Sequence, residues 1–90
     1  MPIVRFTSNL KRFYPDLIPI NSNAKNIYGL LDDINGNYPG IKDYVVDEQG
    51  MLRKHVNIFI NNHQIKDREQ LTDPILEQDE VYIMQALSGG

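Results

Sequence analysis

From residue 21 to residue 40 the chain reads NSNAKNIYGLLDDINGNYPG, and Ala24, Ile27, Leu31 and Ile34 recur there at the spacing of one helix face. Ser22 or Asn23 can cap the start, and Gly36 can close the end in a left-handed conformation. Gly29 inside the helix costs up to about 1 kcal/mol relative to alanine, which points to close packing of the helix on a sheet. A lone amphipathic helix needs a flat apolar partner, and the segments around it must supply one.

They have the period of strands. In PIVRFT, Val4 and Phe6 fall on one side and Ile3, Arg5 and Thr7 on the other. SNLKRFYPD breaks the alternation, and LIPI forms a second short run whose Pro19 confines it to a sheet edge or strand end. The two runs pair as a hairpin. After the helix, Pro39 can open a short helical turn through Tyr44, and Asp47 to Gly50 is a loop. LRKHVNIFINN is a strand beginning at His55, with Val56, Ile58 and Ile60 facing one way and Asn57 and Phe59 the other. A tight turn at Asn61-Asn62 leads into a short strand in HQIKD. REQLTDPILEQDE is a turn-rich crossover carrying Leu71, Ile75 and Leu76, where Pro74 prevents a long helix. In the last strand Val81 and Ile83 alternate with Tyr82 and Met84. The expected fold is an α+β roll, a mixed sheet of four to five strands packed on one main helix. Ninety residues make a single domain, 1–90.

Composition removes several kinds of chemistry. The chain has no cysteine, which excludes disulfides, thiolate catalysis and cysteine-based metal sites. Its formal charge is −3, with bases scattered in pairs such as Lys11-Arg12 and Arg53-Lys54, a pattern unlike a nucleic-acid binder. The acidic runs at Asp32-Asp33 and at Glu77 to Glu80 are read as solvated faces. His55 and His63 lack ligand spacing, so no metal site is expected. No apolar run approaches the roughly 20 residues of a membrane span, and MPIVRFTSNL does not have the layout of a signal peptide. A cytoplasmic protein that binds neither membrane nor nucleic acid is expected.

No catalytic constellation replaces these. The remaining feature is the ending, VYIMQALSGG. Leu87 to Gly90 can project a terminal carboxylate roughly 14 Å past the sheet when extended. Ser88, Gly89 and Gly90 carry little or no side chain, so such a tail can enter a narrow channel and leaves the terminal carbonyl uncrowded. A carboxylate is a poor electrophile, and another enzyme must activate it.

The order of hairpin, helix, strand pair and final strand running into Gly-Gly resembles the ubiquitin-like β-grasp fold, and more closely the sulfur-carrier proteins of the MoaD/ThiS type. VNIFINNHQI is similar to that family's strand-turn-strand, with Asn61 at the turn, and EQDEVYIMQALSGG to its acidic turn, last strand and tail. Within the family, LRKHVNIFINNHQIKD is most similar to carriers that deliver sulfide for cysteine synthesis. The small subunit of molybdopterin synthase is the nearer rival. Gln78 departs from the family's Asp-Gly-Asp-Glu turn, while Asp79 and Glu80 are kept.

The resemblance implies that Gly90 is adenylated with ATP by a ubiquitin-activating-like adenylyltransferase and then becomes a thiocarboxylate, sulfur arriving from a donor protein. Gly89, Ser88 and Leu87 would pass into the activating and acceptor sites on a flexible tail, 87–90. The protein would be a cosubstrate with no bound cofactor and no turnover of its own. Its acceptor would be a cysteine synthase or a molybdopterin synthase large subunit, or the sulfur would go to thiamine. The alternatives are a protein modifier conjugated through the same terminus and a non-reactive β-grasp adaptor. Alternation adds a docking surface: with Val56, Ile58, Ile60, Val81 and Ile83 against the helix, Phe59, Tyr82 and Met84 form an outer apolar cluster, Met84 across from Phe59.

Overall fold

The computed structural model describes residues 1–85, apart from the side chains of residues 8 and 9. The elements run β1 (Ile3–Phe6), α1 (Ser8–Lys11), β2 (Ile20–Asn21), α2 (Ile27–Asn37), α3 (Lys42–Val45), β3 (Val56–Ile60), β4 (His63–Gln64) and β5 (Glu80–Gln85). The tail expected over residues 87–90 lies outside the described residues.

The five strands form one mixed sheet in the order β2-β1-β5-β3-β4. β1 and β2 are antiparallel, as the expected hairpin requires, although β2 is only two residues long and starts after Pro19. β5 lies in the middle, parallel to β1 and antiparallel to β3. Its alternation is the expected one: Val81 and Ile83 are buried, and Tyr82 and Met84 are exposed. Val4, Val56 and Ile58 bury beside them, with Phe6 and Ile60 packed at the margin of the same core.

α2 covers this face through Ile27, Leu30, Leu31 and Ile34. Each fully buried Leu or Ile adds about 1.5–3 kcal/mol, so this stripe is what fixes the helix on the sheet. Its ends differ from expectation. Ala24 precedes the helix, and the cap is Asn26, whose side chain accepts the Gly29 amide at 2.8 Å. The Ile27 and Tyr28 amides donate to the carbonyls of Asp73 and Leu71, so the crossover loop completes the cap. Ser22 instead takes the Ala24 amide and donates to Asp33 Oδ2. Gly36 is helical, and the left-handed glycine after the helix is Gly40, at φ 92°. Gly29 faces Asn26 and Ala24 rather than the sheet: a Cβ there would lie 3.3 Å from Asn26 Oδ1 and 3.5 Å from the Ala24 Cβ.

Two single-turn helices join the main one. SNLKRFYPD contains α1, which drives Leu10 fully into the core. α3 follows the expected helical turn after Pro39. His55 sits in the turn before β3 rather than in the strand. In the crossover Leu71 and Ile75 are buried, whereas Leu76 is 69% exposed.

Candidate functional site: the outer sheet face and the end of β5

The face of the sheet away from α2 carries the expected cluster. Phe59 is directly across from Tyr82, and Asn57, not Phe59, is across from Met84. Met84 therefore meets Phe59 only on the diagonal, because a two-residue pleat step separates Met84 from Tyr82. Tyr82 is 38% and Met84 42% exposed, while Phe59 is half-buried. Polar groups border the strip. Arg5, across from Tyr82, lies 3.6 Å from Glu80 as an exposed and therefore weak ion pair. On the far side Asn57 Oδ1 accepts from Gln64 Nε2 at 2.6 Å and from Arg68 Nη1 at 3.1 Å.

Arg68 had no signal in the sequence beyond its place in the crossover. Its Nη2 donates to the carbonyls of Arg53 at 2.8 Å and Val56 at 3.0 Å. β4 pairs only with Phe59 and Ile60, so the guanidinium supplies donors to the edge of β3 that a longer β4 would have supplied. Its planar fork suits this role.

Both ends of β5 are tied down. At its start Asn61, in a left-handed conformation with φ 56°, donates from Nδ2 to Asp79 Oδ1 at 2.9 Å and accepts the Glu80 amide on Oδ1 at 3.0 Å. Asp79 also closes its own turn by accepting the Leu76 amide. Among the described residues Asn61 and Leu71 are the non-glycines with a left-handed backbone, so Gln78 occupies its turn without needing glycine. At the far end the Gln85 amide donates to Thr7 Oγ1 at 3.2 Å, and Gln85 Nε2 lies 3.4 Å from His55 Nε2. The far end of the central strand β5 is thus held between β1 and the turn before β3.

Of the expected site residues, Phe59, Tyr82 and Met84 share this face; Leu87, Ser88, Gly89 and Gly90 lie outside the described residues. No group of three metal-ligating side chains gathers among the described residues, and no described helix is long and apolar enough to cross a membrane.

One main helix, α2, packed on a five-stranded mixed sheet with the last strand at its centre defines a ubiquitin-like β-grasp protein. The chain belongs to the ThiS family, whose model matches residues 4–90, and so to the MoaD/ThiS-type ubiquitin-like sulfur carriers. It is similar to the sulfur carrier protein CysO of Mycobacterium tuberculosis, 27% identical over 73 residues that cover 79% of this chain and 78% of the relative. The crystal structure of M. tuberculosis CysO matches at a TM-score of 0.82 and 22% identity, covering 97% of this chain and all of that one. CysO in the BexX/CysO complex of Amycolatopsis orientalis matches at 0.84 and 20% identity over the whole of both chains. SAMP1 of Haloferax volcanii matches at 0.77 and 19% identity, over 99% and 98%. These structural likenesses speak for the fold.

Proposed function

We propose that the protein is a sulfur carrier of the cysteine-synthesis type, a cosubstrate whose reactive group is the carboxylate of Gly90. In the first step that carboxylate attacks the α-phosphorus of ATP in an activating enzyme, forming an acyl-adenylate and releasing pyrophosphate. In the second, hydrosulfide released by a sulfur donor attacks the acyl carbon, and its proton passes to solvent. AMP leaves with the bonding electrons, and a thiocarboxylate remains. The thiocarboxylate sulfur is then the nucleophile offered to an acceptor enzyme. ATP is used by the partner, and the carrier holds no cofactor.

The observation that carries this reading is the position of β5. A central strand pinned at Thr7 and beside His55 gives a rigid base for the LSGG ending, while Tyr82, Met84 and Phe59 offer an apolar strip on the same strand pair for docking. Family membership supports it further. Intact-mass analysis after incubation with ATP, an activating enzyme and a sulfur donor should find one oxygen replaced by sulfur. The same product from a chain lacking Gly90 would move the reaction elsewhere.

A second reading, a protein modifier, is favoured by the likeness to an archaeal protein described as a small modifier. It predicts an amide between Gly90 and a lysine of another protein. Peptide mapping after activation separates the two, because the carrier ends in a thiocarboxylate and the modifier in an isopeptide bond.

A further inference from the structure

Lys11-Arg12 and Arg53-Lys54 are far apart in sequence, and the fold brings them to one end of the sheet. β5 runs parallel to β1 and antiparallel to β3, so its C-terminal end lies beside the end of β1 and the beginning of β3. Lys11-Arg12 follows β1 through α1, and Arg53-Lys54 leads into β3. Specific contacts link the two sides. Phe13, next after Arg12, stacks on Tyr44 of α3 with ring centroids 4.6 Å apart. Arg53 donates from Nε to the neighbouring Asp43 carbonyl at 3.0 Å and from its amide to Val45 O at 3.0 Å. Arg68 is anchored to the same turn through the Arg53 carbonyl. Gln85, the last described residue, sits between Thr7, which precedes α1, and His55, which follows Lys54.

These cations have charge to offer. The ion pairs among the described residues involve Met1, Arg5 and Lys42, and none involves Lys11, Arg12, Arg53, Lys54 or Arg68. Lys11, Arg12 and Lys54 are exposed. Of the acids on the adjoining loops, Asp47 is turned to the amides of Gln49 and Met51, and Asp67 to those of Glu69, Gln70 and Thr72; both keep their charge, and with Asp43 on α3 and the exposed Glu48 and Glu69 they offset part of the cationic field. Glu77, Asp79 and Glu80 lie at the opposite end of β5. A chain of net charge −3 thus carries separated cations where its tail begins.

We propose that Lys11, Arg12, Arg53 and Lys54 form a cationic collar that docks on acidic side chains at the mouth of the activating enzyme's tail channel. The inference rests on the adenylation reading above. Residues 86 to 90 span at most about 18 Å when extended. A carboxylate threaded to that depth reacts well away from the collar, which meets the channel mouth and not the nucleotide. Charge complementarity at such a rim acts on encounter and is weakened by salt.

The test is ATP–pyrophosphate exchange by an adenylating enzyme chosen for activity on the wild-type chain, with Lys11→Glu, Lys54→Glu and their combination. Lys25→Glu, an exposed reversal in the segment before α2, is the control. Each collar reversal should raise the KM for the carrier by roughly three- to tenfold, with kcat held within about twofold. The combination should also flatten the dependence of KM on salt, and Lys25→Glu should change neither. Equal effects from Lys25→Glu, or none from the collar variants, overturn the collar while leaving adenylation intact. Failure of every adenylating enzyme to exchange with the wild type overturns the adenylation reading and the collar together. Thermal melts of the variants should match the wild type, and a lowered KM after reversal would also overturn the collar.

Discussion

Asn61 and Asp79 are joined side chain to side chain at 2.9 Å, and with the Glu80 amide on Asn61 Oδ1 the β3–β4 turn is fastened to the first residue of β5. Asn61 also holds a left-handed backbone, which costs an L-residue without such a side chain about 1–2 kcal/mol. Asn61→Ala should lose both the bonds and the conformational preference, and destabilise by about 2 kcal/mol. Asn61→Gly should lose only the bonds and fall between alanine and wild type in urea unfolding. A glycine variant as stable as wild type would show that the side-chain ties contribute nothing.

Arg68 takes the place of a missing stretch of strand. Arg68→Met leaves the carbonyls of Arg53 and Val56 without this donor and should destabilise by about 1–3 kcal/mol. Lysine cannot span Asn57 and both carbonyls with one planar group, so Arg68→Lys should recover little of that loss. Full recovery in a thermal melt would mean that charge, not the fork, is what matters.

Met84 and Ile83 are adjacent on β5 and face opposite sides of the sheet. Met84→Asp places a charge on a wet face and should cost less than about 1 kcal/mol in folding. At a desolvated contact with the activating enzyme the same charge should cost several times more. Ile83→Asp buries a charge in the core and should unfold the domain. Melts and adenylation rates of both variants check this, and a folded Met84→Asp adenylated at the normal rate removes this face from the docking surface.

Asp67 organises the crossover loop. The Gln70 amide and then the Thr72 hydroxyl, with further amides, hold its carboxyl at about 2, below the ordinary 3.8. Because the folded value is the lower one, the stabilisation is complete above 3.8 and is lost as pH falls from there through about 2. Asp67→Asn should therefore lose less stability than wild type over that interval. Parallel melting curves for the two proteins would remove Asp67 from the acid response.

The inward and outward faces of β1, β3 and β5 were legible because side-chain alternation is a property of the extended backbone itself. Ile27, Leu31 and Ile34 of the buried stripe of α2 were legible for the same reason, with a different period, whereas Leu30, fully buried, was not picked out and Ala24 falls before the helix. The helix cap was not legible. Ser22, Asn23 and Asn26 are all competent caps, and Asn26 prevails because the Asp73 and Leu71 carbonyls meet the Ile27 and Tyr28 amides just beyond it. Leu71, buried and left-handed at φ 58°, gave no hint of that conformation; its place in the core and its bonds to Asp67 and Tyr28 impose it.

The sequence by itself determined the strand and helix faces, the outward Phe59, Tyr82 and Met84, and the small-residue ending, since each depends on residue type and local spacing. Only the tertiary structure decided that Asn57 faces Met84, that Arg68 braces β3, and that two distant basic pairs lie at the end of the sheet where β5 ends. Those relationships depend on which strands become neighbours and in which direction they run, and no local backbone preference encodes that choice.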